Sequence, residues 1–550
     1  VPNKNKSLML DIAGLSINAL NLESTGITFI GLENSGEKLN SLNIKGSGTL
    51  GILGALPNSI SNIDASESSV NLDLTVGDGE NNILGSSGTN TITLTSGVST
   101  VTSYSEDDFI YVRGGEAVIR TNAGRDYIAV TGGNNTGIET GIGNDTVDIF
   151  SGVNFVDTGA DEDSIILKGG RNTVFSKTGH DKLTIQGGDN TVFTASGNDR
   201  VIISDGLNVI NTSGGGDNVA ISGGTNSIVS FSGGDTVNIS GGVNDVSTGE
   251  GNDAVTLSDG TSSVDLGDGD DILSVTSSVD LSTHVFDGGD GDDQLNIIHT
   301  GAISLPGPES ISSIETIFVS NSQHQSIDFS RFSGIPSITM DSGVTIDDGT
   351  IITTIGSGQF LILDSISDGD TAAASLADGG IQIAQDASLS SLDLRLDDVG
   401  PSTSIINENV FIDIAGTGVS TASITSSNTN FITLSNTGGS LATLNLSGTG
   451  TLGIISNAAG LINAASLSAS LILTGSSSGN TITGTSGNDT ITLSGGTNTV
   501  NSGTGDDTVA LSSGTDTVNT GDGNDIISAS AGTNFITAGN GDDQITVSGG

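Results

Sequence analysis

Aspartate returns at a fixed interval in this chain, and that spacing is the first feature that could do chemistry. Asp145, Asp163, Asp181, Asp199, Asp217, Asp235, Asp253 and Asp271 each lie 18 residues after the one before, with no insertion. A second run, Asp489, Asp507, Asp525 and Asp543, keeps the same step. Midway between the first acids stands asparagine, at Asn154, Asn172, Asn190, Asn208, Asn226 and Asn244. Asn480, Asn498 and Asn534 continue it in the second run, where Asp516 substitutes once. Aspartate is common in turns, but turn preference gives no reason to hold register over eight units. Carboxylates stacked on segments about 4.8 Å apart repel one another unless cations lie between them. The composition points the same way, with 64 Asp and Glu against 14 Lys and Arg and a formal net charge of −50. Such a chain does not hold DNA or RNA by counterion release. Disorder, another usual meaning of acidity, disagrees with the regular Val/Ile/Leu alternation. Bound cations are therefore expected to neutralise the carboxylates.

The elements that position these acids follow from the 18-residue unit, which is two nine-residue halves. One reads Thr-Gly-Glu-Gly-Asn-Asp-Ala-Val-Thr (248–256), and the other contains Ser-Gly-Gly-Val-Asn-Asp-Val-Ser (240–247). Val255 and Leu257 alternate after Asp253, the period of a strand with one buried face. The glycines before them suit a tight turn, because glycine takes positive φ without steric penalty. Two strands and two turns per unit make one coil of a flattened solenoid, and one coil cannot bury its own face, so many must stack. Glycine contributes 82 of 550 residues, twice its usual share, while there are 6 Pro, no Trp and no Cys. No disulfide or thiol chemistry is available. The prolines, Pro2, Pro57, Pro306, Pro308, Pro336 and Pro401, avoid 58–305 and 402–550, in keeping with continuous sheet. No apolar run is long enough to span a bilayer, and the opening Val1-Pro2-Asn3-Lys4 has no signal-peptide pattern. Either a segment has been removed or export uses a signal elsewhere.

The segment Gly288-Gly289-Asp290-Gly291-Asp292-Asp293-Gln294-Leu295 resembles the nonapeptide G-G-x-G-x-D-x-U-x of RTX, or hemolysin-type calcium-binding, proteins. Thr140–Asp145, Thr248–Asp253, Leu266–Asp271, Ser502–Asp507, Thr520–Asp525 and Ala538–Asp543 are similar. The resemblance implies an all-β fold, a right-handed parallel β-solenoid (β-roll) with 18-residue coils, holding many Ca2+ ions between successive turns. Calcium takes six to eight oxygens at about 2.3–2.6 Å, and carboxylates and glycine carbonyls supply them. The candidate ligands are the two aspartate runs with Asp126, Asp290, Asp292 and Asp293, and the glycines Gly249, Gly251, Gly267, Gly269, Gly503, Gly505, Gly521, Gly523, Gly539 and Gly541. Eroded turns such as Gly179-His180-Asp181 and Gly233-Gly234-Asp235 are weaker candidates. The asparagines depart from the family pattern, which carries Asp in both halves. Stacked amides can bond to each other, so one calcium-bearing edge and one largely metal-free edge are expected.

A longer repeat is superimposed. Leu42-Asn43-Ile44-Lys45-Gly46-Ser47-Gly48-Thr49-Leu50-Gly51-Ile52 recurs at Leu444–Ile454, an offset of 402, and Asp11-Ile12-Ala13-Gly14 recurs at Asp413–Gly416. The expected domains are a segment of longer coils at 1–76, a β-roll at 77–299, an irregular β insert or connecting domain at 300–407, a second copy of the first segment at 408–476, and a second β-roll at 477–550. The last stops within a coil, as a piece of a longer repetitive protein would. Phrases such as Ser313–Val319 and Leu444–Leu452 look like those of type I-secreted surface-layer proteins of Gram-negative bacteria, a less specific likeness.

These features suggest a structural, extracellular, self-associating protein, with cell-surface polysaccharide or lipopolysaccharide as a possible partner. The stalk of a repetitive adhesin is the alternative. Catalysis on an acidic sugar needs basic or aromatic groups beside acids, which 14 thinly spread Lys and Arg and 3 Tyr do not suggest. An ice-binding face needs an unbroken Thr or Asn row, and Lys182 and Arg200 interrupt the one after the aspartates. His180, His284, His299 and His324 are expected at the surface. Phe175 and Phe193, 18 apart, form either an exposed contact patch or the cover of a coil edge.

Overall fold

The computed structural model describes residues 8–134, 136–276, 283–298, 310–320, 326–329, 335–340, 345–346, 350–355, 359–364, 367–368, 380–385, 390–400, 409–456, 459–475 and 477–549. It divides into two compact units, Val1–Asp271 and Ile272–Gly550. Among the described residues there is no α-helix, and the strands pair in parallel, coil upon coil. The all-β parallel solenoid with 18-residue coils is the fold of this chain.

In the first unit two stacks of strands run side by side. Thr146–Ile149, Ser164–Leu167, Lys182–Ile185, Arg200–Ile203 and Asn218–Ile221 form one. Val153–Ala160, Arg171–Phe175, Asp189–Phe193, Leu207–Asn211 and Thr225–Val229 form the other. Each coil sends three branched side chains inward: Val147, Ile149 and Val156, then Ile165, Leu167 and Val174, and so on, all fully buried. Each such side chain contributes about 1.5–3 kcal/mol, so stability accumulates along the stack. Coils are longer before the regular stretch, with Asn43 donating to Asn21 across a 22-residue step and Asn82 to Asn62 across 20.

The second unit repeats the longer coils at the 402-residue offset. Asp11 accepts the main-chain N–H of Ser35 at 3.0 Å and its hydroxyl at 2.7 Å; Asp413 accepts the same two groups of Thr437. Gly51 lies against the ring of Phe29, as Gly453 lies against that of Phe431. The described strands between 310 and 400 also pair in parallel, at irregular steps: Thr316–Ser320 with Ser337–Met340, and Phe360–Asp364 with Ser391–Asp397.

Turn geometry is kept where the sequence motif erodes. Four residues before each aspartate the backbone is left-handed, as at Gly249 (φ 102°), yet Lys177, Ala195, Ser213 and Phe231 hold the same place at φ 63–69°. That conformation costs an L-residue about 1–2 kcal/mol. Ala195→Gly is therefore expected to stabilise the calcium-loaded protein by about 0.5–1 kcal/mol, once the extra freedom of glycine in the unfolded chain is subtracted. Urea unfolding checks it, and a loss of stability would contradict it.

Candidate metal-binding columns

The aspartates form continuous buried columns. Asp126, Asp145, Asp163, Asp181, Asp199, Asp217, Asp235, Asp253 and Asp271 are at most 2% exposed, because each follows a turn and its side chain points inward. Its two oxygens do different things. Oδ1 accepts the main-chain N–H of the aspartate one coil earlier: Asp145 donates to Asp163 at 2.8 Å, Asp163 to Asp181 at 2.9 Å and Asp181 to Asp199 at 2.8 Å. The chain of bonds continues to Asp271. Oδ2 is buried and has no hydrogen-bond partner in Asp126, Asp145, Asp163, Asp181, Asp199, Asp217, Asp235 and Asp253.

A buried acceptor without a donor costs about 1–3 kcal/mol, more when charged. The cost appears in the acidities. Burial pushes the carboxyl groups of Asp145 and Asp507 up to about 6, and those of Asp163 and Asp199 to about 7, with neighbouring column carboxylates adding to the rise. The hydroxyl five residues upstream (Thr140 for Asp145, Thr158 for Asp163) opposes the rise. It does not complete a hydrogen bond to Oδ2, and Thr140 donates to the Thr158 carbonyl at 2.8 Å. The site lacks a positive charge.

The turns also bring main-chain oxygens close together. All ten candidate glycines have positive φ, between 92° and 153°. A Cβ on Gly251 (φ 128°) would lie 1.9 Å from the carbonyl oxygen of Gly233 in the preceding coil, so main-chain oxygens crowd the space between turns. Among the described residues no three acidic or histidine side chains converge on one point. A cation here would be held by one carboxylate per coil together with main-chain carbonyls. Hard oxygen donors of this kind fit calcium.

The second run behaves alike with one difference. Asp507 and Asp525 are buried, receive N–H bonds from Asp489 and Asp507 at 2.8 Å, and have free Oδ2 atoms. Asp489 is already satisfied by the N–H of Leu471 and by Thr485. Asp543, half-exposed, accepts from Asp525 at 3.0 Å. Asp293 is buried in column position, whereas Asp290 and Asp292 are exposed in its turn.

Three members escaped the sequence reading. Asp108 is fully buried with a free Oδ2, accepts from Asn90 and donates to Asp126 at 2.8 Å. Both lie on the 18-residue step counted back from Asp126, but the 19-residue step from Asp126 to Asp145 hides the link. Glu315 accepts the N–H of Asp293 at 2.8 Å across a 22-residue coil.

The opposite edge is an amide ladder. Asn154, Asn172, Asn190, Asn208 and Asn226 each donate Nδ2 to Oδ1 of the next asparagine at 2.7–2.8 Å. Each also donates to the carbonyl three residues upstream at 3.0–3.2 Å. Every rung from Asn172 to Asn226 is thus matched without a metal. Asn208→Ala leaves one Nδ2 hydrogen of Asn190 and the Oδ1 of Asn226 unpaired, and is expected to cost about 2–3 kcal/mol without moving the calcium midpoint. Thermal unfolding in saturating calcium tests the first part and a calcium titration the second.

Two expectations need correction or refinement. His284 is buried, 1% exposed, with its ring 5.8 Å from that of Phe286. The residues around it alternate as a strand, and its position on the inward face takes it from the surface. His180 is exposed, its Nδ1 accepting the N–H of Asn198; His299 and His324 lie outside the described residues. Phe175 and Phe193 cover no coil edge. They sit half-buried within strands and stack face to face at 5.0 Å, with Phe155 tilted against Phe175 at 5.6 Å.

Stacked coils, with an inward aspartate and a glycine turn before it in each regular 18-residue coil, define a β-solenoid with buried acidic columns. A family model of the RTX calcium-binding nonapeptide repeat matches in four copies, at residues 148–183, 166–201, 474–509 and 512–545. The chain carries RTX calcium-binding nonapeptide repeats. No curated protein matches it.

Proposed function

We propose that this protein is a secreted structural element that folds as calcium loads its aspartate columns, and that it builds a bacterial surface layer by calcium-dependent self-assembly. The observation that carries the proposal is the row of buried Oδ2 atoms without donors. Calcium supplies the positive charge those oxygens lack. The carboxylates repel one another without it, which favours an expanded chain where calcium is scarce; calcium at about 10⁻⁴–10⁻³ M, where extracellular sites work, turns binding free energy into folding free energy. Among the described residues no helix is long and apolar enough to cross a membrane.

Assembly finds support on an outer face. Val153, Phe155, Leu207 and Val209 are 43–57% exposed on the same stack of strands as the Phe175–Phe193 pair, with Phe155 against Phe175, and exposed apolar groups on one face mark contact surfaces. Cell-surface polysaccharide is an alternative occupant of that face. Light scattering and electron microscopy after calcium addition test the proposal. Extended sheets support a surface layer. Folded monomers that never associate reject it and favour an adhesin stalk, and binding to isolated polysaccharide by such monomers points to the alternative occupant.

A further inference from the structure

The outer face of the stack that runs from Val153–Ala160 to Thr225–Val229 carries a pattern that reverses on itself. Its strands pair in unbroken register, so the outward side chains stand in three straight columns. The first runs Val153, Arg171, Asp189, Leu207, and the second Phe155, Thr173, Thr191, Val209. The third holds the Phe175–Phe193 stack. About a point between the coils of Arg171 and Asp189, every column is matched. The first has unlike charges at its centre with an apolar residue on either side. The second has two threonines flanked by Phe155 and Val209, and the third has two rings.

Such a pattern suits a two-fold axis lying in the face, across the coils and through that point, because a surface that meets itself must be self-complementary. A second copy turned end for end would set its Asp189 against Arg171 and its Arg171 against Asp189. The same operation sets Val153 on Leu207, Phe155 on Val209, Thr173 on Thr191 and Phe175 on Phe193, one residue from each copy. Charge permits the approach. The chain carries a net −50, yet on this patch Arg171 offsets Asp189 and Lys177 offsets Asp157, at 3.9 and 2.6 Å. The Arg171 side chain is 75% exposed, and a guanidinium has donors for a second carboxylate. The face of the other stack fails the same test: Lys182 and Arg200 are neighbours there, and an axis between them would oppose like charges.

We propose that this face is a contact between two copies of the chain, packed antiparallel about a two-fold axis between the coils of Arg171 and Asp189. The inference rests on the self-association proposed above and adds which surface meets which. Four coils at about 4.8 Å each make a small patch, and contacts that bury less than about 1,200 Å² belong to the weak class. The pair is therefore one contact of a larger assembly and not a permanent dimer.

The chain has no cysteine, so placed thiols report the packing. Val153→Cys and Leu207→Cys chains, mixed in calcium and treated with a short bis-maleimide, are expected to couple to each other, while either chain alone couples poorly. If Val153→Cys couples to itself as well as to Leu207→Cys, the antiparallel arrangement is overturned. Arg171→Asp opposes carboxylates at both symmetry-related places and is expected to weaken association about tenfold in sedimentation velocity, and adding Asp189→Arg to it should restore association. Far-UV circular dichroism in calcium checks that each variant is folded. Parent and Arg171→Asp chains that assemble equally overturn the inference while the assembly reading stands. A parent that stays monomeric overturns both, and isolated polysaccharide that then shields the Val153→Cys thiol from maleimide assigns the face to that ligand.

Discussion

Asp199→Asn is expected to move stability in opposite directions with and without calcium. An asparagine keeps an oxygen for the N–H of Asp181, now bonded to Asp199 at 2.8 Å, and puts an amide where the unpaired Oδ2 stands. In EGTA this removes a buried charge from the middle of a column of like charges, and stability should rise by about 1–3 kcal/mol. In saturating calcium it removes a ligand, and a gap in the column should lower stability by a similar amount. Urea unfolding under both conditions reads the sign directly. A variant destabilised equally in both would mean that Asp199 acts only as a turn and backbone-capping residue.

Acidity should produce a second inversion, of larger total effect because every column member takes part. Burial raises the folded-state carboxyls of Asp145 and Asp507 to about 6 and of Asp163 and Asp199 to about 7, above the ordinary carboxylate value near 4. A group raised in this way contributes its stability below the unfolded value and loses it as pH climbs through the folded one. Metal-free protein should therefore be most stable at about pH 4 and weaken between about pH 4 and 7. With calcium the order reverses, since protons compete with the ion for the same oxygens. A net difference of a few kcal/mol corresponds to a melting shift of about 5 °C for units of this size. Melting curves at pH 5 and pH 8, each with EGTA and with calcium, should cross. Parallel pH profiles would show that the column carboxylates do not bind the ion.

The spacing of Asp145 to Asp271 carried much of this account, because an 18-residue period admits only one repeating coil, and one inward aspartate per coil makes a column. The asparagine ladder was equally legible, since asparagine holds both donor and acceptor for its neighbour. The division of labour within each carboxylate was not. Spacing assigns both oxygens to cations, whereas Oδ1 caps a main-chain N–H and only Oδ2 is left over. Asp108 was hidden by one extra residue and Glu315 by a longer coil. Lys177, Ala195, Ser213 and Phe231 gave no sign of their left-handed backbone, because the neighbouring coils impose it. His284 is inward for the same reason: position in a coil outweighs the preference of an isolated side chain.

The measurement that bears most directly on the whole account is far-UV circular dichroism of the chain at pH 8, first in EGTA and then titrated with calcium. A weak β signal that rises cooperatively near millimolar calcium is the expected result. A full β signal in EGTA, unmoved by calcium, would mean that the buried carboxylates need no ion and that the columns are a feature of the turns alone.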